Sequence, residues 1–304
     1  MQAHTQHTSV FAVISLLVSA TLWGVFWYPL RWLEHFGLHG VWITFLVYCG
    51  TLIYCVPIIG RHYRDFARQP IRLLLIALSS GWCNTAFILA VLEGEVVRVI
   101  LLFYLSPIWA TLLARLVLKE RLTRVAYLTL FIAFAGAMLM LWSPEVGYPW
   151  PQSRADWMGL SSGLAFALLN LFIHMTDDVK IQTKTVSSWL GVILVAGGSL
   201  LVLGDPLTVH EPIATLYALL VGMTLTGAMT WLVVYGVTHM PVHRSATILL
   251  FEVVAAAVST YLLTEERMST REWIGGLAVI LAAYFSARQH TALPAVTGDA
   301  HERI

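Results

Sequence analysis

Long apolar runs separated by short clusters of charge set the pattern of this chain. A hydrocarbon core of about 30 Å takes roughly 20 apolar residues per helix. That window predicts ten spans, at about 10–30, 38–60, 71–92, 96–118, 122–142, 157–175, 187–203, 213–237, 243–264 and 271–287. The connections carry most of the charge: Arg61 to Arg72 after the second span, Lys119 to Arg124 after the fourth, and Asp177 to Lys184 after the sixth. The first apolar run follows an N-terminus without Lys or Arg and has no small-residue cleavage site, so it reads as a retained span. The expected fold is all-α, with the lipid bilayer as solvent.

Composition strengthens this picture. Of 304 residues, 58% are hydrophobic and 12% charged, against about 25% charged in soluble domains; the mean hydropathy of +0.76 leaves no stretch for a separate polar domain. A net charge of +1 gives no basic surplus for nucleic acid. Cys49, Cys55 and Cys83 lie inside apolar runs and do not suggest a disulfide framework. The bias of Lys and Arg sets the orientation: with the N-terminus inside, thirteen basic residues fall on the cytoplasmic side, and Arg31, Arg98, Arg154, Arg267 and Arg271 fall on the other. Both termini are then cytoplasmic, and residues 288–304, which lack apolar periodicity, are expected to form a disordered tail.

A shift of 146 residues aligns 81–124 with 227–270 without a gap. Apolar matches count for little, but Arg98 falls on Arg244 at the start of a span, and Glu120-Arg121 falls on Glu266-Arg267 at its end. Each half, 10–142 and 157–287, holds five predicted spans, and an odd number makes the second half enter from the opposite side. Inverted repeats point to alternating access around a midplane site at the repeat interface.

The segment Ser19-Ala20-Thr21-Leu22-Trp23-Gly24 and the segment Leu118-Lys119-Glu120-Arg121-Leu122-Thr123, set in two five-span halves, resemble the EamA branch of the drug/metabolite transporter superfamily. The likeness covers about residues 10–288. The second half departs from it, with Phe166-Ala167 near the place of the Trp-Gly pair and Val253 in the place of Pro107. The resemblance implies export of small metabolites, amino acids among them, across the bacterial inner membrane. It also implies a central cavity formed by helices one, three, four, six, eight and nine, with five and ten at the periphery.

Glu252 is the sharpest candidate residue. It lies eight residues after Arg244, about 12 Å into the ninth span at 1.5 Å per residue. A charge there costs at least ~2.5 kcal/mol, and intramembrane ionisable groups mark pathways and proton relays. Apolar surroundings disfavour its charged form, so Glu252 can exchange a proton, hold a substrate ammonium, or serve as a neutral structural acid. Asn84 sits mid-span with Thr230 opposite it in the repeat, suited to substrate hydrogen bonding or to helix packing. Asn170 and His174 in the sixth span are weaker candidates.

Trp23, Trp27, Trp82, Tyr104 and Trp109 lie deeper than the interfacial aromatic belt and are candidate cavity linings for a partly apolar or cationic substrate. Pro107 predicts a kink in the fourth span. With Arg98, Glu95 and Arg244 at span starts, it forms a candidate gating set. Gly159-x-x-x-Gly163 predicts close helix approach within the chain.

No His-Glu-x-x-His, Gly-x-Ser-x-Gly, Cys/His metal spacing or phosphate loop occurs in the sequence. An enzyme is therefore disfavoured, and no cofactor is called for. The expectation is a secondary transporter, monomeric or a weak homodimer, that exports a small amino-acid-like or amine-bearing metabolite, with protons as a possible coupling ion. The alternative is a membrane receptor or a lipid-handling protein.

Overall fold

The computed structural model describes residues 2–38, 40–94, 96–119, 123–142, 151–203, 212–263 and 269–288. Glu95, Glu120, Arg121, Glu266, Arg267 and residues 289–304 lie outside the described residues, as does the side chain of Arg98. The first half comprises α1 (Gln2–Val25), α2 (Trp27–His35), α3 (Gly40–Gly50), α4 (Leu52–Arg68), α5 (Pro70–Glu93), α6 (Val96–Phe103), α7 (Ser106–Leu116) and α8 (Arg124–Leu141). The second comprises α9 (Arg154–Met175), α10 (Ile181–Leu203), α11 (Pro212–Val221), a π-helical segment at Gly222–Thr226, α12 (Gly227–Thr238), α13 (Val242–Leu249), α14 (Phe251–Leu263) and α15 (Thr270–Arg288). The described residues contain no strand, as lipid demands when helices satisfy their own backbone groups.

Among the described residues, seven stretches are long and apolar enough to cross a bilayer: Val10–His35, Pro70–Val91, Arg124–Leu141, Arg154–Met175, Ile181–Val202, Pro212–Thr238 and Val242–Leu263. An eighth is the pair α3–α4, bent by 47°. Ten were expected. The fourth stretch is split at Tyr104–Leu105 into α6 and α7, of 8 and 11 residues, and the tenth is the continuous α15, whose described apolar run is Trp273–Ser286.

The packing is symmetric between the halves. The first stretch, α1, packs on α12, α13 and α14, while the sixth, α9, packs on α5, α6 and α7. Likewise α10 lies on α5, and α3 lies on α11 and the π-helical segment. The fourth and ninth stretches meet through α7 and α13, and the fifth and tenth through α8 and α15. Exchanging the two halves maps this set of neighbours onto itself.

Two glycine positions carry close approaches. A Cβ on Gly24 would lie 2.6 Å from the Ala255 Cβ and 2.8 Å from the Glu252 carbonyl oxygen, so the Trp23-Gly24 pair seats α1 against the start of α14. Gly163 brings α9 onto the end of α6, where an added Cβ would lie 2.5 Å from the Phe103 carbonyl oxygen, and Gly159 meets Val99. The small residues of the sixth stretch thus serve packing within the chain.

One boundary needs correction. The seventh stretch was expected to start near residue 187, with Lys184 in the preceding loop; α10 instead begins at Ile181, and Lys184 is fully buried in it. Its ammonium donates to the Ile173 carbonyl at 3.2 Å and to the Thr238 hydroxyl at 2.7 Å. A lysine near helix C-termini is favoured by their free carbonyls, and this pairing lets the charge enter the helix bundle.

Candidate functional site

The fourth and ninth stretches are both interrupted, at positions related by the repeat. Pro107 has no amide hydrogen, and its ring clashes with the carbonyl four residues back. The chain turns at Tyr104–Leu105 and restarts with Pro107 in the first turn of α7, where proline is tolerated. The second interruption is at Leu250, 146 residues after Tyr104. Leu250 is 1% exposed and packs in one apolar cluster with Tyr104, Ala133, Ala137, Val254 and Val279.

These two interruptions face each other across a narrow cavity closed on a third side by α9. Tyr104, Ser106 and Pro107 come from the first, Leu249, Leu250 and Glu252 from the second, and Phe166 and Asn170 from α9. The free space is about that of a single water. Glu252 is enclosed by protein while part of its surface faces this space. The Tyr104 hydroxyl faces its carboxylate and is placed to donate to it. Behind the carboxylate, Cys83 of α5 lies within electrostatic reach of Glu252, and Tyr48 of α3 within reach of Cys83. The Tyr48 hydroxyl donates to Asn84 Oδ1 at 3.0 Å, and Asn84 Nδ2 donates to the Ser80 carbonyl at 2.9 Å. Glu252 thus has the Tyr104 hydroxyl beside it and Cys83 and Tyr48 as further polar groups in its surroundings, an arrangement chemically able to hold a cation or a proton at one carboxylate.

The structure brings Glu252, Tyr104 and Pro107 together on the cavity and places the other candidates around it. Asn84 is reached through Tyr48 and Cys83, with both ends of its amide engaged. Thr230 is buried, its hydroxyl without a partner among the described residues. Trp23 packs edge-on to Phe26 at 5.3 Å, in the apolar clusters where α1 meets its neighbours. Trp27 donates to the Ser259 hydroxyl at 2.9 Å, tying α2 to α14, with the Arg31 guanidinium 5.4 Å from its ring. Trp109 packs with Ala110, Ala167 and Ala246 beside the cavity wall.

Trp82 does not line this cavity: it is 48% exposed on the flank of α5 and donates to the Ser161 hydroxyl at 3.2 Å. Arg244 is buried, and its Nε donates to the Ser286 carbonyl of α15 at 2.9 Å. It holds the tenth stretch instead of reaching into the cavity.

Sequence reasoning ranked Asn170 below Asn84, yet Asn170 is the amide on the cavity wall. Helical spacing alone carried a signal for it: Phe166 and Asn170, four residues apart, share one face of α9. Cys83 and Tyr48 were missed as polar groups near the site, because their place relative to Glu252 depends on the tertiary arrangement of α3, α5 and α14.

Comparison with known proteins agrees with this architecture. The EamA-like transporter family model matches residues 10–142 and again residues 153–288. An uncharacterized transporter of Pseudomonas aeruginosa is 22% identical over 182 residues, an alignment that covers 57% of this chain and 58% of that protein. A crystal structure of another protein has the same fold, with a TM-score of 0.74 at 14% identity, covering 90% of this chain and 96% of the other. Both halves are matched by the one family model, and the chain belongs to the EamA-like transporter family.

Proposed function

We propose that the protein is a secondary transporter that exports a small, amine-bearing or amino-acid-like metabolite across the bacterial inner membrane, with both termini cytoplasmic. The observation that carries this reading is the Glu252 carboxylate, held by Tyr104 in a narrow cavity where interrupted helices from the two halves meet. Discontinuous helices at matching places in two repeats are the usual site of substrate and ion binding in such folds. A carboxylate at that depth, costing at least ~2.5 kcal/mol if unpaired, gains from either a substrate ammonium or a proton. The two compete for one group, so binding of the amine from one side and of a proton from the other couples their movements. Rocking of the inverted halves about the cavity alternates its access, with one chain supplying the whole pathway.

The test is untargeted mass spectrometry of the medium around bacteria that overproduce the wild-type chain or Glu252→Gln at equal membrane abundance. The expected result is an amine-bearing metabolite enriched by the wild type and reduced about 100-fold in the variant, the scale of losing ~2.7 kcal/mol of charge-assisted binding. Equal enrichment by both chains would remove Glu252 from the mechanism. Absence of any enriched metabolite would remove export.

A further inference from the structure

We infer that Asn170 selects among ligands of the Glu252 cavity, offering its amide oxygen as a second acceptor and so favouring a primary ammonium, with three N–H donors, over a tertiary one, with a single N–H. The inference rests on the reading of Glu252 as the amine site and adds a specificity residue to it.

Asn170 is 1% exposed and lines the same cavity as Tyr104 and Glu252. Its Nδ2 donates to the Phe166 carbonyl at 2.9 Å. Because a carbonyl accepts only from a donor, that bond identifies which end of the amide is nitrogen. The other end, Oδ1, is buried and has no partner among the described residues. Buried acceptors are nearly always satisfied in folded proteins, so this one points to a donor brought by whatever occupies the cavity.

No described wall residue donates to this acceptor. The Tyr104 hydroxyl faces Glu252, the Ser106 hydroxyl lines the cavity without bonding Asn170 Oδ1, and Phe103, Phe166, Leu249 and Leu250 present apolar surface. Two acceptors, one charged and one neutral, therefore belong to residues on the wall of one largely apolar cavity. A primary ammonium carries three N–H groups, enough for both acceptors. A tertiary ammonium carries the same charge with a single N–H, which Glu252 takes, and leaves Asn170 unpaired. Sites built to hydrogen-bond a group discriminate strongly against analogues that lack it, because their own buried polar atom is stranded.

The test uses the full-length protein in lipid nanodiscs, with n-butylammonium and N,N-dimethylbutylammonium as probes and affinities read from thermal-shift titrations. The wild type is expected to bind the primary amine at least tenfold more tightly than the tertiary one. Asn170→Leu, close in volume and without an acceptor, is expected to reduce that preference to threefold or less by weakening the primary amine alone. Asn170→Ser gives the same readout should the leucine variant not insert. Glu252→Gln is expected to lose both amines.

If Glu252→Gln loses both amines while the Asn170 variants keep the tenfold preference, the role of Asn170 is overturned and the amine site stands. If Glu252→Gln binds both normally, or if the wild type binds neither, the amine site itself is overturned and the inference with it. An equal loss of both amines in the Asn170 variants shows a structural role and overturns the inference.

Discussion

The two helix interruptions that frame the cavity occupy equivalent places and have different origins. At the first, Pro107 is written into the chain and denies α7 a continuous connection to α6. At the second, Val253 stands where the repeat would place that proline, and its amide donates to Leu250 at 3.1 Å in a tight turn. The break there is held by burial of Leu250 among α6, α8, α14 and α15. One interruption is local chemistry and the other is packing, so the two halves reach the same geometry with different sensitivities. The difference also divides labour at the cavity: the proline-set break supplies the Tyr104 hydroxyl, and the packing-set break supplies the Glu252 carboxylate just after it.

Leu250→Ala should strike hardest at this comparison. Truncating a fully buried leucine costs ~2–5 kcal/mol, and here the lost packing is also what holds the break, so thermal unfolding in detergent should fall well below the wild type. Unchanged unfolding would mean that something other than Leu250 holds the second interruption. Tyr104→Phe comes next and touches function more than stability. Losing one hydrogen bond to a charged group, worth ~1.5 kcal/mol, should lower transport about tenfold at normal membrane abundance, and full transport would detach the first break from the carboxylate.

Pro107→Ala should have the smallest effect. Because the second half makes its break without proline, surrounding contacts should keep the first in place, and the change in stability should stay below ~1 kcal/mol. A variant that unfolds as easily as Leu250→Ala would reverse the assignment of the two origins.

Much of this architecture was legible before any coordinates. Hydropathy over about 20 residues is a local property, so the apolar stretches followed from the chain, as did a break near Pro107. The repeat was legible too, through the few polar residues that coincide at a shift of 146. The misjudged residues share a cause. Lys184 looked like a loop cation because it closes the charge cluster that begins at Asp177; its hydrogen-bond partners are the end of α9 and Thr238 of α12. Trp82 looked deep along its helix, and it is; the direction it faces depends on where α9 packs.

The sequence by itself determined the solvent, the helical class, the two halves and the one carboxylate that lipid cannot tolerate unpaired. Only the tertiary structure decided that Tyr104, Asn170 and Glu252, drawn from three helical stretches, would share one cavity, that Leu250 would break its helix, and that Arg244 would turn to α15. The physical reason is that helices in a bilayer are apolar on every side. Their sequences carry little of the facing information that an amphipathic stripe gives a soluble helix, and small-residue contacts such as Gly24 on Ala255 and Gly163 on Phe103 choose the neighbours instead.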